Sequence, residues 1–316
     1  MSRANGAWEP GVGRHGARRA VQWWKRESGA WLPTHKSVST ARISSLLREE
    51  CTRMRAPSEV VREHWPEYLM EAAGLGLFMI SAAVVTSLFE HPHSPLYQLL
   101  PDPVIRRVLI GIAMGLTAIG IIYSPWGKQS GAHLNPAVTV TFFRLGKIQG
   151  LDALFYVLAQ FVGGLIGLLV AAMAIGMAIE HPTVNYVVTV PGLDGAGIAF
   201  VAEVCISFGL MLVVLIVSNQ TKLNAWTGVF AGALVATYIA VEAPLSGMSM
   251  NPARSFASAL PAHLWTDFWV YLTAPLLGML LAAECYVRIP GAHRVLCAKL
   301  HHHNDKRCIF CCNYMH

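Results

Sequence analysis

The chain has 316 residues, of which 54% are hydrophobic and only 13% charged. A soluble domain of ordinary composition carries about 25% charged residues, so most of this surface faces a solvent other than water, and disorder of the whole chain is excluded because it needs high charge and low hydrophobicity. The net charge of +6 invites a nucleic-acid reading, but residues 1–63 carry +6, residues 288–316 carry +4 and the apolar middle, 64–287, carries −4; basic ends flanking a hydrophobic body mark membrane orientation instead, with both ends cytoplasmic.

Residues 1–63 are rich in Arg, Gly and Ser, without sustained periodicity and without the apolar stretch of a signal peptide. They read as a disordered cytoplasmic tail, within which Met54 is an alternative translation start. Six apolar segments follow, at 68–89, 104–123, 153–179, 198–217, 225–241 and 268–287. Each is near the ~20 residues a helix needs to cross a bilayer, and an even number of crossings returns both ends to one side. Lys128, Arg144, Lys147 and Lys222 lie in connections this topology places inside, while 180–197 has no Lys or Arg and falls outside. Arg106 and Arg107, at the outer end of the second segment, fit this rule poorly.

Two further apolar stretches, 135–144 and 251–260, are too short to span. Each opens with Asn-Pro, and Asn is a favoured N-cap while Pro is favoured at the first helical position. Both therefore read as half-helices dipping into the membrane from opposite sides, the second closed by Pro261. Their surroundings repeat: Ser130-Gly131-Ala132-His133-Leu134-Asn135-Pro136-Ala137 parallels Ser246-Gly247-Met248-Ser249-Met250-Asn251-Pro252-Ala253. Glu71 early in the first segment parallels Glu203 early in the fourth, and Ala159–Gly163 resembles Ala274–Gly278. One Asn-Pro-Ala is expected by chance roughly 0.04 times in such a chain, so a matched pair is significant. Three segments per half make the second copy inverted, and inverted repeats with broken helices place a solute site near the midplane between halves. The fold class is thus an all-α membrane protein of six transmembrane helices plus two half-helices. The membrane body covers about 64–290, with repeats at about 64–180 and 197–290, ahead of a His/Cys-rich basic cytoplasmic tail at 291–316.

On these residues, Ser130–Thr141 and Ser246–Leu260 on six spans, the chain resembles the aquaporin and aquaglyceroporin (major intrinsic protein) family. The resemblance implies a multi-pass channel of the plasma (inner) membrane, assembled as a homotetramer in the lipid bilayer, that passes water and small neutral solutes and excludes protons and ions. Each half-helix N-terminus carries about half a positive charge, and two such ends meeting at the midplane repel cations. There Asn135 and Asn251, leading Pro136-Ala137 and Pro252-Ala253, can offer amide donors that turn a passing water's hydrogens outward. The non-helical approaches carry carbonyls at Gly131, Ala132 and His133, and at Gly247, Met248 and Ser249, expected to form a ladder of acceptors; such backbone is tolerated at membrane depth only in protein or along a wet cavity. The His133 ring reads as a structural contact. Arg254, a charge at membrane depth, is functional or paired by default; the resemblance puts it at the outer constriction. Counting from Asn251 places Ile239 and Met248 beside it, with Met114 or, on a shorter loop count, Gly115 from the second span. Glu71 and Glu203 are read, with the family, as scaffold carboxylates accepting backbone N–H groups, against a reading as ion-coupling groups.

Water-selective members have His at the position of Ile239 and an aromatic at that of Met114 or Gly115, and this chain has neither there. Its Ser255 and Ala259 nonetheless resemble water channels, and Tyr271 and Leu272 fit neither pattern. The expectation is a water channel that also admits small neutral solutes such as glycerol, the alternative being a glycerol or small-polyol facilitator with water secondary; an ion-coupled secondary transporter is a third reading. No nucleophile–base set, phosphate loop or metal cluster stands in the membrane part, so neither an enzyme nor a cofactor is expected, and nucleic acid is not a partner. Cys205 and Cys285 lie in apolar segments. In the tail, His301, His302 and His303 with Cys308, Cys311, Cys312 and His316 have the ligand types of zinc, beside the plainer reading of incidental thiols on a basic segment without metal.

Overall fold

The computed structural model describes residues 55–289 and 295–312. The possible start at Met54 and most of the N-terminal tail lie outside the described residues, as does His316. Among the described residues, six helices are long and apolar enough to cross a membrane. In chain order the helices are α1 (Pro57–Glu90), the short α2 (Pro95–Leu99), α3 (Pro103–Tyr123), the short α4 (Pro125–Ser130), the half-helix α5 (Pro136–Arg144), α6 (Gly150–Ile175), α7 (Gly195–Ser218), α8 (Thr227–Val241), the short α9 (Ala243–Ser246), the half-helix α10 (Pro252–Ala262) and α11 (Phe268–Arg288). Among the described residues there is no strand.

Local chemistry explains the ends. Pro occupies the first turn of α1, α3, α5 and α10, where its missing N–H leaves no helical bond unmade. Asp102 caps α3 through the Val104 and Ile105 N–H groups. Asn135 accepts from Ala137 N–H at 2.9 Å, and Asn251 from Ala253 and Arg254 N–H at 3.0 and 3.2 Å. Pro261 does not close the second half-helix: α10 runs through it to Ala262 and stops at His263, whose φ of 49° leaves the helical region. A proline in the last turn removes one hydrogen bond without blocking the residue that follows it. The first helix also starts earlier than the apolar run, at Pro57, inside the segment read as tail. Its first turns carry Glu59, Arg62 and Glu63, and hydropathy marks lipid depth rather than helix length.

The inverted repeat is visible in the packing. In the first half α1 lies against α6; in the second α7 lies against α11; α3 and α8 join the halves. A Cβ built on Gly163 of α6 would overlap the Ala72 carbonyl of α1, and one on Gly278 of α11 would overlap the Val204 carbonyl of α7. These equivalent glycines let each helix pair approach at backbone distance, a device suited to lipid, where packing rather than water expulsion drives helix association.

Each half-helix is approached by a loop with left-handed residues at equivalent places, Gly131, Ala132 and Leu134 in one half and Gly247, Met248 and Met250 in the other. Such backbone leaves N–H groups without helical partners, and a buried carboxylate takes them. Glu71 accepts from His133 N–H at 3.0 Å, Leu134 N–H at 2.6 Å, Ser130 Oγ–H at 2.8 Å and Gln160 Nε2–H at 2.9 Å. Glu203 accepts from Ser249 N–H at 2.6 Å, Met250 N–H at 2.7 Å and Ser246 Oγ–H at 2.7 Å. Tyr156 and Tyr271 complete the pattern, donating to the Ser130 and Ser246 carbonyls at 2.8 and 2.6 Å. Arg144, at the end of α5, is paired with Glu284 of α11 at 2.6 Å.

Two outcomes follow. Gly163→Val is expected to destabilise the protein by about 3 kcal/mol or more, since a backbone carbonyl cannot yield to the added methyls; a detergent-solubilised variant that melts with the wild type would refute the close approach. Glu203→Gln sets an amide NH2 against donors and is expected to cost about 2 kcal/mol or more, lowering the melting temperature, whereas Glu284→Gln, in a partly exposed pair, lowers it little.

Candidate functional site

A cavity of about 490 Å3 is lined by residues of both halves. At its centre the N-termini of α5 and α10 face one another. Asn135 Nδ2 donates to the Met250 carbonyl at 2.6 Å, and Asn251 Nδ2 donates to the Leu134 carbonyl at 2.8 Å. Each amide therefore caps its own half-helix with its oxygen and bridges to the opposite loop with one N–H. An Asn amide carries two such hydrogens, so one on each remains for a molecule in the cavity, which both residues line. Pro136, Ala137, Pro252 and Ala253 are buried behind them.

Of the loop residues whose carbonyls were expected to form a ladder, Ala132, His133, Gly247, Met248 and Ser249 line the cavity. Gly131 does not, and its carbonyl accepts Leu300 N–H at 3.1 Å. That expectation is corrected: the rung at Gly131 is occupied by the chain's own tail. The His133 ring is held on several sides. Nε2 donates to the Ala298 carbonyl at 2.8 Å, Nδ1 meets Thr139 Oγ1 at 3.0 Å, and the ring stacks between Phe142 and Phe310.

Towards the other mouth, Arg254, Ile239, Met248 and Met114 all line the cavity. Gly115 does not; it abuts the Gly232 carbonyl at the seam of α3 and α8, where a Cβ would approach to 2.5 Å. Arg254 stands at the first turn of α10, and its Nη1 is buried without a protein partner. Ser255 bonds Thr189 at 2.7 Å and Ser249 at 2.5 Å, which braces the loop that carries Met248. Arg107 also lines the cavity and donates to the Ala240 carbonyl at 2.9 Å, whereas Arg106 does not line it and is paired at 3.1 Å with Glu90, which does.

The mouth on the side of the chain ends is covered by residues 295–312. The segment has no regular secondary structure, yet Val295, Cys297, Ala298, Leu300 and Phe310 are buried. It is fixed by Leu296 N–H to Asn219 Oδ1 at 2.7 Å, Cys311 N–H to the Lys147 carbonyl at 3.0 Å and the Phe310 ring against His133 and Tyr156. Leu300 reaches the cavity wall itself. Lys299 is buried with Nζ donating to the Lys306 and Arg307 carbonyls at 3.2 and 2.6 Å, and burial pulls its pKa below the usual lysine value. Of the zinc-type ligands expected in the tail, Cys308 and Cys312 converge with Cys297, while Cys311 and His301, His302 and His303 stand outside that group.

What is missed from the sequence is of two kinds. Tyr156, and Tyr271 in its bracing role, lie just before the matched stretches 159–163 and 274–278, so a repeat alignment extended by three residues would have found them. Ala298, Leu300 and Phe310 carry no periodic signal.

Residues 59–286 match the family described as "MIP: Major intrinsic protein". The chain is 40% identical over 189 residues to "Aquaporin NIP6-1" of Arabidopsis thaliana, covering 58% of this chain and 60% of that protein, less than two thirds of its length. It is 34% identical over 186 residues to "Glycerol uptake facilitator protein-like 6" of Lactiplantibacillus plantarum, covering 58% of this chain and 85% of that one. In fold it is similar to the X-ray structure of the aquaglyceroporin from Plasmodium falciparum, with a TM-score of 0.59 at 20% identity, covering 72% of this chain and 97% of that one. With six membrane-capable helices, two inverted half-helices and a family match over most of its length, the chain belongs to the major intrinsic protein family.

Proposed function

We propose that the protein is a passive channel for water and small neutral solutes such as glycerol. The observation that carries this reading is the meeting of α5 and α10, N-terminus to N-terminus, with the Asn135 and Asn251 amides facing one continuous cavity. The positive ends of both half-helices repel cations there. The free N–H of each amide binds the oxygen of a passing water, whose hydrogens then point away along the pore, so water passes while proton relay is interrupted. The carbonyls of Ala132, His133, Gly247, Met248 and Ser249 accept from the permeant on either side.

Arg254, which lines the cavity, acts as a donor and second cation barrier. Met114, Ile239 and Met248 supply an apolar wall opposite this polar edge. A polyol has that same division, hydroxyls along one side and carbons along the other, and this favours glycerol beside water. Ion coupling is disfavoured because Glu71 and Glu203 already have their oxygens filled by N–H and O–H donors. The names of relatives that are aquaporins and a glycerol uptake facilitator support the same substrate class. The charge distribution supports a cytoplasmic position for both chain ends, and four-fold assembly in the plasma membrane is part of the reading. The protein is taken as a channel and not an enzyme.

Reconstituted into vesicles, the protein is expected to raise water and glycerol permeability severalfold over empty vesicles, without sensitivity to a protonophore. Arg254→Val is expected to shift selectivity towards the larger solute, read as the ratio of glycerol to water flux. Fluxes equal to those of empty vesicles, unchanged by Arg254→Val, would refute the channel.

A further inference from the structure

The segment over the terminus-side mouth has no helix or strand to hold its shape. What it has is three sulfur atoms, from Cys297, Cys308 and Cys312, all within 4.8 Å of one another. Cys308 Sγ stands 3.2 Å from Cys312 Sγ and 3.6 Å from Cys297 Sγ, and Cys297 and Cys312 are bonded to each other. A disulfide accounts for two sulfurs and leaves the third unexplained. A metal accounts for all three: at about 2.3 Å from each thiolate, tetrahedral zinc sets neighbouring sulfurs about 3.8 Å apart. Thiolate ligands select soft or borderline ions, zinc foremost. The side of the chain ends, which the proposed orientation makes cytoplasmic, is a reducing compartment in which cysteine clusters hold metal more often than disulfides. Cys308 lies at the surface, so an ion can reach the cluster and solvent can complete its fourth position.

The location gives the cluster its consequence. Cys297 immediately precedes Ala298 and Lys299, and Leu300 follows; Ala298 holds the His133 ring, and Leu300 pairs with Gly131 and lines the cavity. Cys308 and Cys312 bracket Phe310, the ring stacked on His133. A single ion binding these three sulfurs would join the two strands of chain that seat on the mouth.

We propose that Cys297, Cys308 and Cys312 form a zinc site that fastens residues 295–312 beneath the pore mouth, so that the zinc-loaded channel is narrowed at Leu300. A dithiol reductant of the cytoplasmic side first opens the Cys297–Cys312 bond, supplying two electrons and two protons and leaving as its own disulfide; zinc then displaces the thiol protons of the three reduced cysteines with no further change of oxidation state. The throttling rests on the channel reading; the metal site does not, and the two fail separately.

The test uses the full-length protein purified under reducing conditions. Metal analysis is expected to find one zinc per chain, and cobalt substitution to give thiolate-to-cobalt charge-transfer absorption. Cys308→Ser is expected to lose both, while Cys285→Ser, at an exposed thiol on α11, keeps both; elution of each variant with the wild type shows that folding is intact. Removing zinc by chelation is expected to raise water permeability severalfold in the wild type and to leave Cys308→Ser, already fast, unchanged. No bound metal and no cobalt signal, or a Cys297–Cys312 disulfide persisting in the reduced native protein, overturns the site. Zinc bound without any effect on permeability overturns the fastening.

Discussion

Irregular backbone inside a membrane must find hydrogen-bond partners in the protein wherever it does not line a wet cavity, because lipid supplies none. The two loops that carry the chain to the midplane meet this requirement with a buried carboxylate each. Glu71 and Glu203 receive adjacent N–H groups of the loops at 2.6 to 3.0 Å, and Ser130 and Ser246 close the same ring of bonds. With the loops fixed, Asn135 and Asn251 arrive at capping positions, the half-helices point their positive ends at one another, and the side chains after Asn251 are aimed into the cavity. The cavity's chemistry thus depends on groups that never touch what passes through it.

The carboxylates also show how a repeat diverges without losing its frame. Gln160 adds a fourth donor to Glu71, whereas the equivalent place on α11 is Pro275, which can add none. In the second half Arg254 follows the Asn-Pro-Ala and lines the cavity; in the first, Val138 holds that place and lines it as an apolar wall. The frame is symmetric and the lining is not, so one mouth has a charged donor and the other has Leu300, His133 and the folded tail.

What was legible in the sequence is what local chemistry determines. Asn-Pro starts a helix wherever it occurs, so both half-helix starts lie within one residue of expectation, at Pro136 and Pro252. Apolar length marks lipid depth, so the six crossings are readable, but the polar turns of α1 at 57–63 carry no such mark and read as tail. Met114 and Gly115 could not be separated by counting, because the choice depends on one loop residue; three-dimensional packing turns Gly115 to the α3–α8 seam and Met114 to the cavity. The seat of residues 295–312 was invisible, since it is built from single long-range contacts, Gly131 with Leu300 and Lys147 with Cys311, that follow no period.

The two amide bridges across the midplane have one further implication. Asn135 is bonded to the Met250 carbonyl of the opposite half, and Asn251 to the Leu134 carbonyl, so the halves are stitched where the passage is most central. Rocking one half against the other, as alternating-access carriers do, would tear both stitches at once and expose polar groups to a dry seam. A molecule joined in this way has surrendered large motion at its waist, and any control of its throughput must be exercised at the rims.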